Sequence, residues 1–276
     1  MMLASQYDAL LFDLDGVLYR GDDPVPHAAE VLVALRQVKA SIVFLTNNSS
    51  RTPEQVAEKL RGLGIDAHSD EVMTSALATG ELLAARGGGT AYVIGQDGIR
   101  RALADSGIEL LDGEPESVDH VVVGVDLDVT YRRLATAAVL VERGARLVAT
   151  NPDASFPVPG ALWPGAGALL AVITTTTGAD AEVVGKPFAP LFRSALRRAG
   201  GSHPLVIGDR LDTDVAGAAA LGWDSLLVLT GVATRAGLAT APDRPTFVAE
   251  DLSILLEDPV GGHGAGQIGS GRRGIP

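Results

Sequence analysis

Asp13 and Asp15 stand two residues apart at the end of an apolar run, Ala9-Leu10-Leu11-Phe12, and Gly16 follows them. In extended chain, positions i and i+2 point the same way, so both carboxylates can face one small site. Two anions that close are costly unless a cation lies between them or one of them holds a proton. Gly16 allows the tight backbone that would carry the pair out of a sheet. A calcium loop does not fit, because its glycine comes sixth and here it comes fourth. Taken alone, the segment also reads as a polar strand end before a turn.

A second acidic group follows another apolar run, in Ile207-Gly208-Asp209-Arg210-Leu211-Asp212-Thr213-Asp214. Asp212 or Thr213 suits a helix cap. The surplus of acids calls for a cation, and all-oxygen ligation suits Mg2+ better than zinc. Thr46-Asn47-Asn48-Ser49-Ser50 offers hydroxyls, amides and backbone N–H groups, the makings of an uncharged anion cradle, although a capped loop has the same composition. Lys186 is one of three lysines and lies between Val183-Val184-Gly185 and Pro187, where a surface role is unnatural. Lys39 and Lys59 read as solvated surface. The segment is no P-loop, since proline replaces the Ser/Thr that motif needs.

The remaining candidates carry less. The five histidines, His27, His68, His120, His203 and His263, show no metal-binding spacing and read as surface or loop residues. Gly165 and Gly167 resemble the start of a dinucleotide fingerprint without its third glycine, so close helix packing is the better reading. Phe156 and Trp163 read as core residues or as the wall of a second domain.

The elements that must position these groups alternate. Strands are predicted at Ala9–Phe12, Ser41–Leu45, Ala91–Ile94, His120–Val123, Arg146–Ala149, Glu182–Val184, Pro204–Ile207 and Ser225–Leu229. Helices are predicted at Pro26–Lys39, Gly98–Asp105, Tyr131–Arg143, Pro190–Ala199 and Asp214–Leu221. One more starts at Thr52, Pro53 and Gln55, a cap, a first-turn proline and a capping-box partner. Strands alternating with helices imply an α/β fold with parallel sheet. At ~100–200 residues per domain, 276 residues allow one large domain or two modest ones. The acidic clusters, the cradle and Lys186 flank a stretch with no comparable chemistry. The reading is therefore a core domain of 1–78 and 183–260, an inserted domain of 79–182, and a glycine-rich, disordered tail of 261–276.

Composition excludes several classes. Lys+Arg number 22 and Asp+Glu 34, a net charge of −12, which repels nucleic acid and anionic membrane alike. With no cysteine, disulfide scaffolds, thiolate zinc sites and thiol catalysis are out. No apolar run approaches the ~18–20 residues of a membrane span, and the N-terminus lacks the features of a signal peptide. The expectation is a cytoplasmic protein without nucleic-acid or membrane partners.

In this order, DLDGVL, LTNNSS, VGKP and GDRLDTD make the chain resemble the haloacid dehalogenase-like (HAD) phosphatase superfamily. Ala149-Thr150-Asn151-Pro152-Asp153 and Pro164-Gly165-Ala166-Gly167 resemble the cap signatures of its branch with a large α/β cap inserted after the second motif. The resemblance covers residues 7–256. It implies a Rossmann-like parallel-sheet core with a second, inserted α/β cap domain. It also implies that Asp13 is the nucleophile that forms an aspartyl-phosphate, and that Asp15 is the acid and base. By the same resemblance Mg2+ is held by Asp13, the backbone carbonyl of Asp15 and Asp209, with Asp214 holding a metal-bound water. Thr46, Asn47, the backbone of Asn48 and Lys186 would hold the phosphoryl group, and Asn151 and Asp153 would meet the substrate from the cap. The branch implies a small-molecule phosphate ester and a homodimer through the cap. Glycerol 3-phosphate or phosphoglycolate fits the polar, unbulky loop 151–163, with p-nitrophenyl phosphate as surrogate. Nucleotides, sugar phosphates and pyridoxal phosphate are alternatives. A phospho-acceptor switch is the competing non-enzymatic class, against which Asp15 argues, because an acid/base there makes the phosphoryl state short-lived.

Overall fold

The computed structural model describes residues 2–158 and 160–258; the tail expected at 261–276 lies outside the described residues. The chain divides into two compact units. The first takes the described residues up to Leu45, Lys59–Ala67 and those from Ala195 onward. The second takes Thr46–Glu58 and His68–Ser194. Residues 46–58, 68–78 and 183–194, expected in the core domain, cluster with the second unit.

In the first unit five parallel strands lie in the order Phe247–Ala249, Asp224–Val228, Pro204–Gly208, Ala9–Phe12 and Ile42–Thr46. Ala9–Phe12 is buried along its whole length, which explains its unbroken apolar run. The chain steps from it to one side for Ile42–Thr46 and later returns on the other side for Pro204–Gly208. That reversal is where ligands bind in open α/β sheets, beyond the carboxyl ends of the strands. Helix Ala28–Gln37 buries Ala28, Val31, Leu32 and Leu35 at helical spacing. It is shorter than the predicted Pro26–Lys39 because His27 (φ 65°) and Lys39 (φ 57°) turn left-handed at its two ends. Helix Pro53–Gly62 opens as predicted: Thr52 N–H donates to Gln55 Oε1 at 2.9 Å and Gln55 N–H to Thr52 Oγ1 at 3.4 Å.

The second unit has its own parallel sheet, in the order Glu182–Val183, Arg146–Ala149, His120–Val123, Thr90–Ile94 and Glu109–Leu110. Tyr92, Ile94, Val121 and Val123 pack with Leu140, Leu170 and Ile173, the last three from helices Tyr131–Glu142 and Ala166–Thr177. Burying each such large apolar side chain stabilises the fold by about 1.5–3 kcal/mol. Gly165 and Gly167 are there for close approach, though to backbone rather than to a helix. A Cβ at either would collide with the carbonyl of Asp153 or Pro152.

Three readings are corrected. His120 is buried, not a surface residue: it opens a central strand, and its Nε2 lies 3.2 Å from the Gly88 carbonyl. Phe156 and Trp163 are not core residues, which leaves the second-domain alternative. They meet edge to face, centroids 6.3 Å apart, across a hairpin of Ser155–Val158 and Ala161–Pro164, and Trp163 is exposed. Neither Asp212 nor Thr213 caps the helix after Pro204–Gly208. That segment begins with a π-type turn, Leu211–Val215, and Asp212 turns back to pair with Arg210 at 2.7 Å. No helix among the described residues is long and apolar enough to cross a membrane.

Candidate active site

Phe12 is level with Ile207 in neighbouring parallel strands, so the residues that follow each emerge side by side. Asp13, Asp209 and Asp214 thereby converge, with one carboxylate oxygen of each within 4.8 Å of the others. Asp13 is 8 % exposed, and Asp209 and Asp214 are 1 % exposed. Three buried carboxylates this close repel strongly unless protons or a cation compensate them. An all-oxygen donor set of this kind suits a hard divalent ion. The π-type turn brings Asp214 inward, where its Oδ2 accepts from the Arg210 N–H at 3.2 Å; such turns are frequent at functional sites.

Close backbone approach holds Asp209. A Cβ at Gly16 or Gly231 would collide with its Oδ2, and Gly16 also needs φ 80°. Val232 N–H donates to the same oxygen at 2.7 Å. Thr230 Oγ1 donates to the Gly16 carbonyl at 2.6 Å, tying the two loops together. The segment Thr230–Val232 was missed at the sequence level. Its signal was a lone glycine after the strand Asp224–Val228, which looks like any turn.

Asp15 lies outside the three-carboxylate cluster. Its side chain is exposed, yet the protein around it desolvates the carboxyl enough to raise it above the usual range. The Lys59 ammonium and the Gly16 N–H oppose that rise. Lys59 is thus not simple solvated surface. Its Nζ donates to the Gly21 carbonyl at 2.7 Å and lies 4.1 Å from the centroid of the Tyr19 ring, on a short hairpin of Tyr19–Arg20 and Asp23–Pro24. Lys39 is exposed, as read.

In the second unit the other predicted residues gather where Asn47 meets the segments that follow Arg146–Ala149 and Glu182–Val183. Asn47 Oδ1 accepts from the Lys186 N–H at 2.7 Å, and Asn47 Nδ2 donates to the Lys186 carbonyl and to Asp153 Oδ2, each at 3.1 Å. Asn151 Nδ2 donates to the Asn47 carbonyl at 2.8 Å. The Asn48 N–H donates to Thr46 Oγ1 at 3.1 Å, and its side chain accepts from Ser50. Thr46 and Lys186 are both buried. Gly98, Gly124 and Gly185 seat this loop, for a Cβ on each would press on Arg51, Ser49 or Asn47.

A family model of haloacid dehalogenase-like hydrolases matches residues 10–109, and a HAD-hydrolase-like model matches residues 183–255. The acid sugar phosphatase of Staphylococcus epidermidis is 38% identical over 255 residues, 91% of this chain and 98% of that protein. The crystal structure of the glycerol phosphate phosphatase of Mycobacterium tuberculosis, in complex with magnesium, is similar at a TM-score of 0.88 and 36% identity, covering 94% of this chain and 79% of that one. The p-nitrophenyl phosphatase of Archaeoglobus fulgidus is similar at a TM-score of 0.84 and 30% identity, covering 91% and 97%. The chain belongs to the haloacid dehalogenase-like hydrolases and is a phosphatase of that type.

Proposed function

We propose that the chain is a Mg2+-dependent phosphatase of a small, hydroxylated phosphomonoester, with glycerol 3-phosphate or phosphoglycolate as preferred substrates. The convergence of Asp13, Asp209 and Asp214 carries this reading, because three buried carboxylates that close call for a cation or protons to compensate them, and a hard divalent ion fits their oxygens. The glycerol phosphate phosphatase among its relatives supports the substrate class. A sugar phosphate is the second reading, favoured by the acid sugar phosphatase relative.

Asp13 attacks phosphorus in line, forms the aspartyl-phosphate, and releases the alcohol. Asp15 gives its proton to the departing alkoxide and then takes one from the water that cleaves the intermediate. Asp13, the backbone carbonyl of Asp15 and Asp209 would hold Mg2+, with Asp214 binding through water. When bound, Mg2+ supplies the charge neutralisation that lets a carboxylate approach a phosphate ester. Lys186 and the N–H groups of the Thr46–Asn48 segment bind the phosphoryl oxygens. Asn151 and Asp153 would meet the leaving group.

A screen of purified protein against phosphomonoesters, with and without Mg2+, tests the reading. Steady release of phosphate, fastest with small hydroxylated esters, is expected. If large aromatic phosphates win by orders of magnitude in kcat/KM, the substrate assignment fails. A stoichiometric, long-lived adduct in place of turnover would point to a switch.

Two variants probe the first unit. Gly231→Ala should push Asp209 out of register and raise the Mg2+ concentration for half-maximal activity by about 10–100-fold, the usual cost of disturbing a ligand's support. An unchanged midpoint in a Mg2+ titration would contradict the role given to Asp209. Asp15→Asn should lower kcat by about 10²–10⁴-fold. Because the Asp15 carboxyl is raised in the fold, the acid form persists above the ordinary carboxylate range, and kcat should decline as pH rises through that raised value. The same proton stabilises the fold at low pH, and this stabilisation is lost across the same rise. A pH profile of kcat in which Asp15→Asn keeps the alkaline limb would assign that limb to another group.

A further inference from the structure

We propose that the Asn47 side chain is a positioning residue that fixes Lys186 and links it to Asp153, not a phosphate ligand. The inference rests on the phosphatase reading. An amide side chain has two N–H donors and one carbonyl acceptor. Here both donors are used, on the Lys186 carbonyl and Asp153 Oδ2, and the acceptor receives the Lys186 N–H. The Lys186 N–H fixes which end of the amide is oxygen, so the two remaining contacts are both donations. Nothing is left on this side chain for a phosphoryl oxygen.

The bracket is built from both directions. The Asn47 carbonyl receives Ser75 Oγ at 2.7 Å and Asn151 Nδ2 at 2.8 Å, so the backbone that carries the amide is itself anchored. A Cβ at Gly185 would fall against Asn47 Oδ1, so the lysine loop can approach only because glycine precedes Lys186. Asn47 therefore holds both polar backbone atoms of Lys186, and its second N–H reaches a carboxylate of the loop that would face the leaving group. A side chain placed this way sets where the lysine ammonium sits, and displacing a catalytic group by about 1 Å costs about 10²-fold in rate.

An exchange of the donor and acceptor tests this. Wild type, Asn47→Asp, Asp153→Asn and the double variant are compared in kcat/KM on p-nitrophenyl phosphate with Mg2+, with thermal melts alongside. Asn47→Asp sets two carboxylates face to face and should lose about 10²-fold. Asp153→Asn changes a residue that would face the leaving group, so its own loss is the baseline against which the double variant is read; its amide oxygen still accepts the Asn47 bond. The double variant restores the bond between 47 and 153 but not the donor to the Lys186 carbonyl, so it should recover part of the loss and stay below Asp153→Asn. Should Asn47→Asp fail to fold, the cycle is read with Asn47→Ser and Lys186→Ala, in which Asn47→Ser should add little once the lysine is gone. Losses that multiply in either cycle, or an Asn47→Asp enzyme near wild-type activity, overturn the positioning role alone. A wild type that turns over no phosphomonoester overturns the phosphatase reading and this inference together.

Discussion

Asp13→Asn is expected to abolish turnover, with kcat down by about 10⁴-fold or more, while the protein stays folded. A carboxamide neither attacks phosphorus nor carries the phosphoryl group as an acyl phosphate, and loss of a nucleophile leaves only what binding and electrostatics supply. Stability should move the other way. Asp13 is one of three buried carboxylates sharing a small volume. Neutralising one relieves like-charge repulsion, so the Tm measured in chelator should hold or rise. The rise in Tm that Mg2+ confers on wild type should shrink, because ligand-induced stabilisation follows affinity. Steady-state assays with p-nitrophenyl phosphate and paired melts in chelator and Mg2+ check both halves. Activity within tenfold of wild type would remove Asp13 from the chemistry.

Lys186→Ala should lower kcat/KM by about 10²–10³-fold, the cost typical of removing one preorganised charge from a developing anion. Lys186 is buried and its peptide is gripped on both sides by Asn47, so the ammonium is not a mobile surface charge that a neighbour could replace. Lys186→Arg should recover little. The guanidinium is a broad planar fork, a poor substitute at a buried position for a compact ammonium. Rates for the three proteins under matched Mg2+ decide the point. Near-native activity in Lys186→Ala would show that the charge serves elsewhere.

Much of the scaffold was legible because its signals are local. The run Ala9–Phe12 followed by Asp13 is a buried strand ending at a sheet edge, and the Thr52–Gln55 capping box is written within four residues. The long helices showed their periodicity in the same way. The short hairpins Tyr19–Pro24 and Ser155–Pro164 were not legible, since strands of two to four residues give no alternation to read. His120 looked like a surface residue because nothing near it in sequence shows that Gly88 supplies a carbonyl to its ring.

The sequence by itself determined which groups are available for chemistry and in what order: an acid pair, an uncharged cradle, a lone lysine after a strand, and a second acid cluster. Side-chain type and spacing along a strand are local properties, and local physics suffices to read them. Only the tertiary structure decided what each group is tied to. It set Val232 against Asp209 across 23 residues and Asn47 against Lys186 across 139. Hydrogen bonds and steric seats at such separations are fixed by how sheets and loops pack, and no spacing in the chain encodes them.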